Sequence, residues 1–200
     1  MNWLDAKDLA AIYGTPKPTA LRKVARHLTD DYRAFLDAAR FCVLTTVGPE
    51  GTDASPRGDD GPVVRVLDDS HLAMPDWRGN DRIDSLANIV RDPRVSLMFM
   101  IRGSQTVIRV NGTARLTDDA ELCQSFAKEV HVPRCVIVVQ MDEIYFQCSR
   151  AVMRAGLWTG ADDSAGLPTA GQILAGMTDG EVGGPTYDAE WPERAVRSMW

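Results

Sequence analysis

The spacing of apolar positions changes twice along this chain. Up to residue 40 it is helical. After Pro18 and Thr19, Leu21, Val24, Ala25 and Leu28 of LRKVARHL share one face. Thr29 is the expected N-cap of TDDYRAFLDAA, with acidic residues in the first turn. From Phe41 the pattern turns to strands. FCVLTTV, the turn GPEG and TDASPR predict a hairpin, and PVVRVL, the turn DDS and HLAMP continue it. GNDRIDSLANIVRD then predicts a helix opening at about Asn80, with Ile83, Leu86, Ala87 and Val90 on one face and Pro93 ending it. RVSLMFMI and TVIRVNGTARL follow as strands joined by RGSQ, TDDAELCQSFAKEV as a helix, and CVIVVQMDEIYFQC as a long last strand.

These elements predict a mainly β fold with flanking helices: about six strands in a compact antiparallel barrel rather than βαβ units. Residues 1–40 are expected to be helices packed on the barrel, 41–158 the barrel domain and 159–200 a C-terminal arm. The arm is rich in Gly, Pro and acidic residues, with a short helix expected near QILAGM. Trp191 and Trp200 lead us to expect that it docks on its own domain or on a partner.

Composition narrows the function classes. The 200 residues are 44 % hydrophobic, enough for one full core. A net charge of −6 argues against a broad nucleic-acid footprint. No apolar run approaches the ~20 residues of a membrane span. The start carries Asp5 and Asp8 and lacks a basic segment, so no signal peptide is expected and the default location is cytoplasmic. Cys42, Cys123, Cys135 and Cys148 form no C-x-x-C pair, and His27, His71 and His131 are equally scattered. No metal site is expected, and Cys42, Cys135 and Cys148 read as buried, unreactive thiols.

Against that acidic background the arginines stand out. In MPDWRGNDRIDSLANI a helix N-terminus would offer free backbone N–H groups to a phosphate, Arg82 a bidentate charge and Ser85 a hydroxyl. A plain helix cap with a solvated Arg82 fits equally well, since Asp81 and Asp84 would repel an anion. Arg57 and Arg65 in SPRGDDGPVVRVLDD and Arg109 in TVIRVNGTA are each unremarkable alone. Gly112 allows a bulge or a close backbone approach.

Taken in order, R-V-L-D, P-D-x-x-G-N-x-R-x-D-S-L-x-N-I, P-R-V-S-L-M-F and R-V-N-G-x-A resemble the pyridoxamine 5'-phosphate oxidase-like family. The resemblance runs from about Phe41 to Trp158, including IYFQCSRAVMRAGLW near its end. It implies an FMN-binding split β-barrel, six-stranded, antiparallel and of Greek-key type. It also implies a homodimer with FMN at the subunit interface. Carried over by motif, Arg65, Val66, Arg82 and Ser85 would form the phosphate side, and Asp76 and Asn80 would reach the phosphate or ribityl chain. Backbone of Met74 and Pro75 would face the ring, and Arg57 would stand near the flavin or the substrate mouth. Thr106, Arg109, Arg150, Arg154 and Trp158 would come from the other subunit. The chain departs from the family where Gln147 and Arg150 replace the usual histidine and lysine, and no histidine follows His131. That places vitamin B6 oxidation in doubt. The implied activity is an FMN-dependent oxidoreductase acting on a small organic substrate, with NAD(P)H or oxygen as the other redox partner. The alternatives are a flavin store or sensor without turnover, or a split barrel holding a deazaflavin or haem.

Overall fold

The computed structural model describes residues 1–200. Three short helices lead in: α1 (Ala6–Ile12), α2 (Pro18–Arg22) and α3 (Asp30–Ala38). The hairpin β1 (Phe41–Gly48) and β2 (Gly51–Gly58) follows, then β3 (Arg65–Val66), β4 (His71–Asp76) and α4 (Asp84–Arg91). β5 (Arg94–Met100), β6 (Val107–Thr117), α5 (Ala120–Ser125) and β7 (Cys135–Gln147) complete the sheet. The last segment holds α6 (Arg150–Arg154), α7 (Ala170–Met177) and α8 (Gly184–Arg197). No helix is long and apolar enough to cross a membrane.

All strand pairs are antiparallel, in the order β2-β1-β5-β6-β7-β4-β3. The sheet therefore has seven strands rather than six, and it is not closed by hydrogen bonds. Period-2 alternation explains why it coils around a core. Leu44, Leu97, Val110 and Ile144 lie opposite one another on four successive strands, and all four are fully buried. Met74 and Ile137 extend this inner face onto β4 and β7. β2 buries no residue and carries Pro56, as an edge strand can, because its outer N–H groups need no partner.

Gly112 marks the bend. The β6–β7 register slips between Asn111 and Gly112, where an added Cβ would meet the Gln140 carbonyl oxygen at 2.0 Å. Thr29 caps α3 as expected, its hydroxyl accepting from the Tyr32 N–H. Asp119 caps α5 in the same way.

Several elements differ from their expected extents. α2 stops at Arg22, and the next residues pair with the sheet: the Ala25 N–H donates to the Ile144 carbonyl and the Ile144 N–H returns the bond. An available strand edge outcompetes helix propensity there. PVVRVL supplies only the two paired residues of β3, because Val63 and Val64 turn into the core and the Val63 N–H donates to Ala39. α4 opens at Asp84, not at Asn80. Asp81 takes a left-handed φ of 57°, which breaks the helix before it starts, and Asn80 instead accepts from the Arg82 N–H. Cys148 is exposed and Cys135 half-buried; only Cys42 and Cys123 are buried.

The C-terminal arm is more ordered than its composition implies. α7, near QILAGM, is joined by the fourteen-residue α8. Thr169 and Gln172 form a capping box on α7, and the Asp188 carboxylate of α8 accepts from Gly171 N–H and the Thr169 hydroxyl. Gly171 is required: a side chain there would strike Asp188 and the Gly184 carbonyl. Beyond α8 the chain returns to the barrel, and Trp200 packs edge-on against Trp77 with ring centroids 5.2 Å apart.

Candidate functional site: an arginine-lined cavity at the barrel mouth

The ends of β2 and β4 enclose, with the loop to α4, a cavity of about 670 Å³. β2 contributes Ser55–Gly58, with Asp59 and Asp60 just beyond, and β4 contributes Met74–Asp76. The loop Trp77–Arg82, the start of α4, Arg134 with Cys135, and Met199 with Trp200 close the remaining sides. The volume is that of an ordinary small-molecule or cofactor site.

Four arginines line it: Arg57, Arg78, Arg82 and Arg134. Arg57 Nη1 donates to Asp76 Oδ1 at 2.6 Å, and both side chains are only 19 % exposed. The Arg57 Nε is buried with no hydrogen-bond partner, an unmet donor of the kind native interiors rarely leave. Arg82 is exposed and pairs with Asp84 at 2.8 Å, and Arg134 pairs with Asp81 at 2.9 Å. Asp59 accepts from the Trp77 indole N–H at 2.9 Å and, with Asp60, from the Lys128 ammonium. Lys128 Nζ also lies 3.7 Å from the Trp200 ring centroid, a cation–π contact that holds the arm at the cavity rim. Burial pushes the Cys135 thiol up to about 11, reinforced by the Asp76 carboxylate, so it is protonated at neutral pH.

The structure brings together Arg57, Met74, Pro75, Asp76, Asn80 and Arg82 of the expected site residues around this cavity. The others lie elsewhere on the single chain. Arg65 donates to the Ser125 hydroxyl and carbonyl at 2.7 and 2.9 Å and stacks on Phe126. Val66 packs against the core from the β3 edge. Ser85 is buried and donates to Asp53 at 2.5 Å. Thr106 and Trp158 gather at the β5–β6 turn, where the Trp158 indole donates to the Ser104 carbonyl at 2.7 Å and the Thr106 N–H donates to the Ser104 hydroxyl. Arg109 lies 5.5 Å from the Tyr145 ring centroid, and Arg150 and Arg154 stand exposed at either end of α6.

Sequence reasoning passed over Asp59, Asp60, Trp77, Arg78, Lys128, Arg134 and Cys135. Trp77 and Arg78 lie inside the block MPDWRGNDR and were within reach of it. Nothing local marks Lys128 or Arg134, which arrive only through the turn before β7. The unusual Trp200 was the one signal of the arm's return.

Comparison with known proteins fits this architecture. The family model of pyridoxamine 5'-phosphate oxidase matches residues 28–148, more than half of the chain. This chain belongs to the pyridoxamine 5'-phosphate oxidase family. No curated protein matches it. Among solved structures it is similar to HupZ of Group A Streptococcus, with 16 % identity and a TM-score of 0.47 over 60 % of this chain and 93 % of that one. It is similar to General Stress Protein 26 of Bacillus anthracis, with 20 % identity and a TM-score of 0.43 over 57 % and 88 %. An FMN-binding protein of Syntrophomonas wolfei shares 16 % identity, with a TM-score of 0.44 over 58 % and 88 %.

Proposed function

We propose that this protein binds FMN in the cavity at the barrel mouth and acts as an FMN-dependent oxidoreductase on a small organic substrate. The observation that carries the reading is the cavity itself, in a chain of this family. It couples four arginines and the unmet buried N–H of Arg57 to an apolar lining of Val63, Met74, Pro75, Ile83 and Leu86. Such a donor set fits a phosphate and a polar chain, and such a lining fits a flat ring.

In this reading Arg82 and Asn80 hold the phosphate end, and Arg57, fixed by Asp76, supplies a cation and a free N–H to the ring's polar edge. The bound flavin would supply the hydride chemistry. Trp77 and Trp200 limit water entry from the rim. Arg65, Val66, Ser85, Thr106, Arg109, Arg150, Arg154 and Trp158 lie outside the cavity of one chain. A role for the last five requires the homodimer, in which a partner subunit brings its own copies to the site.

A second reading, a flavin store or sensor without turnover, is favoured by one observation: no histidine lines the cavity, and its one thiol is held protonated. Haem has less support, because no histidine lines the cavity and its one thiol, Cys135, is held protonated. The decisive experiment is spectroscopic. A yellow preparation that releases FMN on denaturation, or an apoprotein that quenches added FMN, supports the binding claim. A colourless protein indifferent to FMN overturns it. Anaerobic mixing of the loaded protein with NADH or NADPH then separates enzyme from store, and size-exclusion chromatography with light scattering tests the homodimer.

A further inference from the structure

The chain has two unpartnered apolar surfaces, one near each end and both outside the family-matched residues 28–148. α1 buries no residue, and Leu9, Ile12 and Tyr13, three and four positions apart, form one exposed stripe along it. Near the other end Ile173 and Met177, one turn apart on α7, and Val182 beyond it form a second. Within one chain neither covers the other: Leu9 is 47 % and Met177 79 % exposed.

Both surfaces are pre-built. Asp5 and Asp8, the only carboxylates before Asp30, are engaged in α1's own capping box. In the turn from α7 to α8 the Thr178 hydroxyl donates to the Leu174 carbonyl and accepts from the Val182 N–H. Asp179 and Gly180 take left-handed φ values of 49° and 85°, which reverse the chain there. An added Cβ at Gly183 would strike the Gly171 carbonyl oxygen at 2.4 Å, so the start of α8 sits directly on α7 and the hairpin is a rigid platform.

Their charges are opposite. Lys17, Arg22 and Arg26 follow α1, exposed and without an ion-pair partner, although the whole chain carries a net charge of −6. Asp179 and Glu181 flank Met177 and Val182, exposed and equally unpaired. Each surface joins an apolar stripe to free charge of the sign that the other lacks. Within one chain the two are tied to opposite ends of β7. Ala25 bonds Ile144 at one end, whereas Trp200 rests on Trp77, beside the Asp76–Cys135 pair at the other. Those anchors lie about 30 Å apart along the strand, which favours a second copy as the occupant.

We propose that the N-terminal segment of one copy docks on the α7–α8 hairpin of a second copy, and that the exchange is reciprocal. The α1 stripe packs on Ile173, Met177 and Val182, while Lys17 and Arg22 meet Asp179 and Glu181. This pairing does not rest on the flavin reading.

The test is crosslinking of full-length chains in a Cys148→Ser background, which removes the exposed thiol. A chain carrying Leu9→Cys is mixed with one carrying Met177→Cys and treated with a short bis-maleimide. The mixture is expected to give a crosslinked pair at least fivefold above either chain alone. Lys17→Glu with Arg22→Glu should cut that yield at least fivefold at unchanged melting temperature. Asp179→Lys with Glu181→Lys in the other chain should restore it. No crosslink above the single-chain controls, indifference to the charge reversal, or a crosslink within one chain carrying both cysteines overturns the exchange. Sedimentation on phosphatidylglycerol vesicles in place of crosslinking also overturns it, and makes the segment's partner a membrane. A homodimer that persists in light scattering without any crosslink keeps the barrel dimer of the flavin reading and removes the exchange.

Discussion

Arg57 on β2 and Asp76 on β4 meet at 2.6 Å although four strands separate β2 from β4 in the sheet. The contact joins parts of the barrel that backbone hydrogen bonds leave apart, and it does so at the wall of the cavity. Removing one partner strands a largely buried charge. Arg57→Met is expected to destabilise the fold by about 2–4 kcal/mol in urea unfolding, and adding Asp76→Asn should recover part of that loss. A cost below ~1 kcal/mol for the single change would show that the pair does not hold the sheet ends together.

The β6–β7 bulge makes a second demand. An added Cβ at Gly112 would lie 2.0 Å from the Gln140 carbonyl oxygen and 3.2 Å from the Asp142 nitrogen, both backbone atoms with little room to move. Gly112→Ala should therefore cost about 3 kcal/mol and lower the melting temperature by several degrees. Calorimetry checks it, with Gly61→Ala, in open space, as the neutral control.

Buried thiols give the fold an alkaline weakness. Burial pushes Cys42 up to about 12, against a smaller lowering by Arg57. A thiol whose pKa is higher folded than unfolded contributes stability that is fully present below the unfolded value, near 9, and is lost as pH rises from there toward 12. Three units correspond to roughly 4 kcal/mol at the upper limit. Denaturation midpoints of the wild type should fall faster between pH 9 and 11 than those of Cys42→Ala; parallel curves would remove Cys42 from the account.

For FMN, the cavity ranks the two arginines that the resemblance treats alike. Arg82 lines the cavity, whereas Arg65 is engaged by Ser125 and Phe126. Arg82→Gln is expected to weaken FMN by about 1.5–3 kcal/mol, roughly ten- to a hundredfold. Arg65→Gln should have the smaller effect. Flavin fluorescence titration of both variants decides the order, and a larger loss at Arg65 would place the phosphate away from the cavity.

Most strands and the cap at Thr29 were legible because alternation and capping are local properties. The helix boundaries at Arg22 and Asp84 were not. The first depends on a bond to Ile144, more than a hundred residues on, and the second on a left-handed Asp81 that the sequence pattern of a helix face does not reveal. The same division holds at the site. The blocks around Arg57, Met74–Asp76 and Asn80–Arg82 announce themselves in order along the chain, and they do meet in space.

By itself, then, the sequence determined a mainly antiparallel β fold, its family and one side of the cavity, since each follows from short-range period and local motif. Tertiary structure alone decided which charges far apart in the chain neutralise one another and what closes the cavity. Arg57 finds Asp76 nineteen residues away, Lys128 finds Asp59 and Asp60, and Trp200 returns to Trp77 from well over half the chain away. Ion pairs and aromatic contacts depend on distance in space. A coiled seven-stranded sheet brings together residues that no spacing along the chain connects.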